Sequence, residues 1–255
     1  MNEATWSSTK IWTARLAVLA IFFALWEWAA NTKTIDPILI GRPSGIVAFI
    51  WNEIFVTGDL WVDFGYTLLA TMLAFGLGSV AGILVGMLFV TQPNVEAVLS
   101  PLLMALNSMP RIALAPLFLI WFGLGIGSKI ALGFSLTFFI VLTNTVAGGR
   151  GVNPDHITLA QTLGASRSQI FRKFTLPSAV PVIFNGLRLG LIFALLGVIG
   201  GEILASEHGL GGALQLLAAS FKTDGVFGLI IILSIVGIAI TWIMTWLERR
   251  LLRWR

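Results

Sequence analysis

Long uncharged runs constrain this chain more than any other feature. Residues 64–90 contain no Asp, Glu, Lys or Arg, and about 20 helical residues suffice to cross the hydrocarbon core of a bilayer. Comparable apolar runs cover residues 15–30, 97–122, 130–147, 180–204 and 226–247. A chain of 255 residues that is 57% hydrophobic and 11% charged, with a mean hydropathy of +0.92, has too little polar surface to be wetted by water alone. The expected fold is therefore all-α, a polytopic membrane bundle of about six transmembrane helices. Lys10 and Arg15 ahead of residues 16–30, with Ala29-Ala30 behind, imitate a secretory signal. Glu27 interrupts that run and further spans follow, so an uncleaved first helix is expected.

Several function classes fall away on composition. There is no cysteine, so neither disulfides nor thiolate metal sites can form. His156 and His208 are far apart, which argues against a metal site, and no nucleophile–base pattern suggests a membrane enzyme. The net charge of +4 comes from basic residues at the ends of apolar runs, not from a patch suited to nucleic acid.

Those basic residues predict orientation. Lys10 and Arg15, then Arg150, Arg167, Arg172 and Lys173, then the arginine-rich tail fall on one side if the chain crosses six times. That side is expected to be cytoplasmic, with both termini on it. The opposite loops carry Asp36, Glu53, Asp59, Glu207 and Asp224. Trp26, Trp28, Trp61 and Trp121 would form the outer aromatic belt, and Trp12, Trp242 and Trp246 the inner one. Residues 45–55 are expected to lie along the membrane surface. The chain divides into residues 1–62, an N-terminal span with an outer loop, and residues 63–255, a core holding a polar loop at 148–178.

Small residues mark packing faces. Ala70, Ala74, Gly78, Gly82 and Gly86 recur every fourth residue, as do Gly186, Gly190 and Ala194. Each set forms a stripe along which another helix can approach closely.

Residues 153–181 form a segment too polar to cross. Asn153 can cap a first helix with Pro154 in its first turn. Gly164 can end it in a left-handed conformation. Ser166 and Gln169 have capping-box spacing for a second helix, which Pro177 is expected to end or redirect. Ile157, Ala160 and Leu163 give the first helix an apolar side, and Ile170, Phe171 and Phe174 the second. Two readings are open: a helix pair lying under the membrane, or a knob that docks in a groove of a partner.

Ionisable residues inside spans invite functional readings. Arg111 follows Pro110, where a kink is expected, and lies about 21 Å along a helix from Ala97, toward the outer side. It either attracts an anion, pairs with an acid or snorkels outward. Glu202 pairs with Arg111, caps a gate or meets a delivery protein. Arg188 is expected to anchor the inner end of its span, and Glu27 to face water. Asn107, Ser108, Thr137, Thr143 and Asn144 line a polar path or bond helices together.

The series Leu163-Gly164-Ala165-Ser166-Arg167, Leu176-Pro177, Pro181 and Gly186-Leu187-Arg188 resembles the EAA loop of binding-protein-dependent ABC importer permeases. Arg42-Pro43-Ser44, Met109-Pro110-Arg111, Trp121-Phe122-Gly123-Leu124-Gly125, Ser128-Lys129 and Glu202 followed by Gly209-Leu210-Gly211 are similar to the sulfonate, taurine and nitrate branch. The resemblance runs from about Gly41 onward. It implies a type I importer permease fold and a pathway for a small anionic solute such as a sulfonate, taurine or nitrate. It implies two copies of a separate ATPase, a second permease subunit expected to be another copy of this chain, and a periplasmic or lipid-anchored solute-binding protein, all at a bacterial inner membrane. Thr158, Leu159, Ala160, Leu163, Gly164, Ala165, Ser166, Arg167 and Pro177 would carry the coupling to the ATPase, and Asn107, Pro110, Arg111 and Glu202 the pathway. The family's Glu-Ala-Ala reads Thr158-Leu159-Ala160 here. No cofactor is implied on this chain, since ATP and Mg belong to the partner: the stretch from Gly123 to Lys129 lacks the order of a nucleotide loop. An ion-coupled transporter is the alternative, although it would usually show internal repeats.

Overall fold

A computed structural model describes residues 7–32 and 34–251. Residues 252–255, the end of the basic tail, lie outside the described residues. Twelve α-helices are assigned among the described residues: α1 (Ser8–Asn31), α2 (Pro37–Ile40), α3 (Pro43–Trp51), α4 (Leu60–Thr91), α5 (Pro93–Ser108), α6 (Ala115–Phe122), α7 (Ile126–Arg150), α8 (Pro154–Thr162), α9 (Arg167–Ile170), α10 (Leu176–Leu204), α11 (Leu210–Ala219) and α12 (Thr223–Leu251). Five helical stretches are long and apolar enough to cross a membrane, and α5 with the chain up to Phe122 makes a sixth if that bent pair is one span. The all-α polytopic expectation holds.

The contacts divide the chain into two compact units. The first holds residues up to Trp61 together with Leu214–Leu233, and the second holds Val62–Ala213 and the chain from Ser234 onward. The return of 214–233 to the N-terminal part is a grouping that sequence order does not reveal.

In the first unit, two acids hold the turn at Arg42-Pro43-Ser44. Glu27 accepts the Ser44 amide at 3.0 Å and its hydroxyl at 2.8 Å, so it caps α3 instead of simply facing water. Asp224 accepts the Arg42 amide at 2.6 Å. Trp26 meets Phe227 edge-on, and a Cβ on Gly228 would sit 2.6 Å from the Phe49 ring.

In the second unit, α7 packs between α4 and α10, and small residues set the distance. A Cβ added at Gly78 would sit 2.7 Å from Thr137 Cβ, at Gly82 2.8 Å from the Phe138 carbonyl oxygen, and at Gly86 2.6 Å from Thr145 Cβ. On the other flank, Cβ atoms at Gly186 and Gly190 would meet Asn144 at 2.6 Å and Val141 at 3.0 Å. Ala70, Ala74, Ala194 and Val198 are buried together. Between helices in lipid, attraction comes from such close contact and from hydrogen bonds. The Thr137 hydroxyl supplies one by donating to the Gly190 carbonyl at 3.0 Å. Ion pairs join Arg150 to Glu96 and Arg188 to Glu248, so Arg188 is tied to α12 and not only to an interface.

Two proline expectations need correction. At Pro110 the chain does not merely kink. α5 ends at Ser108, and the next stretch leaves it at 88°. Counting 21 Å along a straight helix therefore does not give the depth of Arg111. At Pro177 the chain does not end its helix, because Arg167–Leu204 runs as one 38-residue helical stretch. Phe171–Thr175 is a π turn. Its extra residue per turn displaces the carbonyl that the proline ring would strike, so Pro177 fits without a break.

Candidate functional site

The hairpin between α7 and α10 is built by local chemistry at every joint. Asn153 caps α8 by accepting the Asp155 amide at 2.9 Å. Gly164 has φ +79°, a region an L side chain enters at a cost of roughly 1–2 kcal/mol. Its amide donates to Gln161 O, and the Ala165 amide to Ala160 O, both at 2.9 Å. This crossed pair satisfies carbonyls that the last turn would otherwise leave open. Ser166 and Gln169 then form a reciprocal capping box at 2.7 and 3.3 Å. Arg167 opens the second helix from an exposed position.

This frame fixes which residues face out. Ala160 is buried, whereas Leu159 is 61% and Leu163 78% exposed. The sequence pattern put Leu163 on one apolar side with Ala160, but the structure buries only Ala160 of the two. The helix stops at Thr162, and the chain turns away through Gly164 before anything covers Leu163. Thr158 donates its hydroxyl to Pro154 O at 3.0 Å.

The residues read as a pathway do not gather in one place. Asn107 accepts from the Arg111 guanidinium at 2.8 Å, and that guanidinium lies 4.2 Å from the centre of the Phe139 ring, within cation–π range. Pro110 supplies the bend between them. Asn107 and Phe139 also line a cavity of about 330 Å³. Glu202 lies elsewhere and does not pair with Arg111. It accepts the Thr67 hydroxyl at 2.9 and 3.0 Å and the Gly211 amide at 2.9 Å. Asp63 accepts the Gly209 amide at 2.7 Å. Of the other polar residues, Ser108, Thr143 and Asn144 bond their own helix carbonyls.

Sequence reasoning missed Thr67 and Asp63, since nothing local ties them to residues about 140 positions away. It also left Lys129 just outside the apolar run 130–147, whereas Lys129 is a buried residue of α7. A charge at the edge of an apolar run was the available signal.

A bundle with five or six stretches fit to cross a bilayer, and a capped polar hairpin set between two of them, is a multi-pass membrane protein. The chain belongs to the family described as binding-protein-dependent transport system inner membrane component, whose pattern matches residues 78–253. It is 38% identical over 240 residues to the formylaminopyrimidine transport permease protein ThiX of Halalkalibacterium halodurans, covering 92% of this chain and 93% of that protein. It is 30% identical over 253 residues to the taurine transport system permease protein TauC of Escherichia coli, covering 98% and 92%. Its fold is shared with a chain of the inward-facing MetNI methionine ABC transporter, with TM-score 0.61 and 19% identity over 78% of this chain and 97% of that one. The protein is the permease component of an ABC importer and not itself an enzyme. It works with an ATPase and a solute-binding protein. An ATP-driven family takes the place of the ion-coupled alternative.

Proposed function

We propose that the capped hairpin is the element gripped by the ATPase, with α8 as the docking helix. The observation that carries this reading is the pair Leu159 and Leu163, held exposed on a hairpin whose every turn is satisfied. Large apolar side chains kept on a rigid polar surface suit helix-in-groove recognition. Thr158, Leu159 and Leu163 make the contact. Ala160, Gly164, Ala165, Ser166 and Arg167 set the exit angle, and the unbroken stretch through Pro177 carries motion into α10. ATP and Mg are bound by two ATPase copies under a pair of these permeases, each with its hairpin and both termini in the cytoplasm of a bacterial cell. Replacing Leu159 and Leu163 together by Asp should abolish co-purification of the ATPase and transport while leaving membrane insertion intact. Undiminished co-purification would refute the assignment.

The cargo is a small solute, read first as one bearing an anionic group, such as a sulfonate, taurine or nitrate. Arg111, turned by Pro110 and steadied by Asn107, supports this, as does the relative named for taurine. A neutral pyrimidine is the second reading, favoured by the relative named for formylaminopyrimidine. Uptake of both through Arg111→Ala separates them: selective loss of the anion supports the first, and equal loss makes Arg111 structural.

A further inference from the structure

A cavity of about 290 Å³ in the second unit brings together charges that the hairpin and the Arg111 bend do not use. Its walls include Lys129 from the first turn of α7 and Glu202 from the last turn of α10. Glu207, His208 and Tyr66 also line it. Lys129 is 2% and Glu202 3% exposed. Both are incompletely partnered among the described residues. The Lys129 ammonium has three N–H groups and one acceptor, the Leu124 carbonyl. The Glu202 carboxylate has four lone-pair positions and two neutral donors, Thr67 and Gly211. No ion pair within 4.0 Å joins the two.

A buried charge with no counter-charge in contact is costly. Here a cation and an anion line the same space without touching, so a neutral apolar guest would leave both deficits in place. A purely anionic guest would meet Glu202 and Glu207, and a purely cationic one would meet Lys129. A guest carrying an ammonium and an anionic oxygen group side by side answers both. The cavity also sits where apolar helices stop, since α7 begins at Ile126 and α10 ends at Leu204. That is the level of lipid headgroups.

We propose that this cavity is a binding site for a zwitterion, its anionic group toward Lys129 and its ammonium toward Glu202 and Glu207. Two sources share that chemistry: the headgroup of phosphatidylethanolamine, and a free amino sulfonate or amino acid. The test is titration of the purified full-length protein in detergent with dihexanoyl phosphatidylethanolamine, dihexanoyl phosphatidylglycerol and taurine, read by calorimetry. Saturable binding of a zwitterion is expected, weakened roughly tenfold or more by Lys129→Met, as loss of a charged hydrogen bond implies. Phosphatidylglycerol should not bind at this site. Binding of phosphatidylethanolamine that taurine does not displace identifies the lipid as the source. Binding of taurine identifies the free solute. If Lys129→Met fails to fold, Glu207→Gln at the exposed rim should weaken binding of the same ligand. The proposal is overturned if neither zwitterion binds, if phosphatidylglycerol binds equally well, or if the variants that fold bind as the original protein does.

Discussion

The seam joining α4, α7 and α10 and the hairpin of α8 and α9 solve opposite problems with the same residue type. In the seam, glycine is needed because a neighbouring backbone occupies the place of a side chain: a Cβ at Gly82 would lie 2.8 Å from the Phe138 carbonyl oxygen. In the hairpin, Gly164 has nothing within 4 Å of where a Cβ would stand, yet its φ is +79°. The first glycine is a matter of space and the second of backbone angle. The seam is held by long-range packing, the hairpin by bonds among near neighbours. The seam should therefore fail as a unit, whereas the hairpin can be damaged without unfolding the bundle.

Substitutions can break this contrast. The largest effect is expected from Gly82→Val, which forces branched carbons against the α7 backbone. A loss of about 3 kcal/mol or more is expected from overpacking, read as loss of folded protein on thermal denaturation in detergent. Next is Glu202→Ala, which takes the acceptor from the Thr67 hydroxyl proton and the Gly211 amide in a buried place, although Thr67 still accepts from the Leu210 amide. About 2–3 kcal/mol should be lost, while Glu202→Gln, which retains an acceptor, should lose less in the same melt. Ser166→Ala removes one half of the capping box, worth about 1 kcal/mol. Faster hydrogen exchange should be confined to the hairpin amides, with an unchanged bundle melt. The smallest effect is expected from Glu96→Gln, since its partner Arg150 is largely exposed. Such pairs contribute under about 1 kcal/mol. A Ser166→Ala melt as depressed as that of Gly82→Val would erase the distinction between the two regions.

The same contrast explains what could be read without coordinates. Every cap of the hairpin was legible, because Asn153, Gly164, Ser166 and Gln169 act on atoms two to five residues away. Six apolar runs were legible because span length is a property of composition. The contacts of Glu27 with Ser44, of Asp224 with Arg42 and of Glu202 with Thr67 were not, because they join residues 17, 182 and 135 positions apart. The α11 helix was missed because its 10 residues are too few to stand out as a span. Pro177 misled for a different reason. A proline in a run forecasts a stop, but a π turn just ahead of it leaves the ring room, and widened turns carry no signature in residue order.

The central claim, that α8 is held by the ATPase, has a direct measurement because the chain contains no cysteine. A single thiol introduced by Leu163→Cys can be cross-linked in membranes containing the ATPase, with Leu84→Cys, on an exposed face of α4, as the reference. A permease–ATPase adduct is expected at Leu163→Cys and not at Leu84→Cys. An adduct yield at Leu163→Cys no higher than at the reference position would contradict the account.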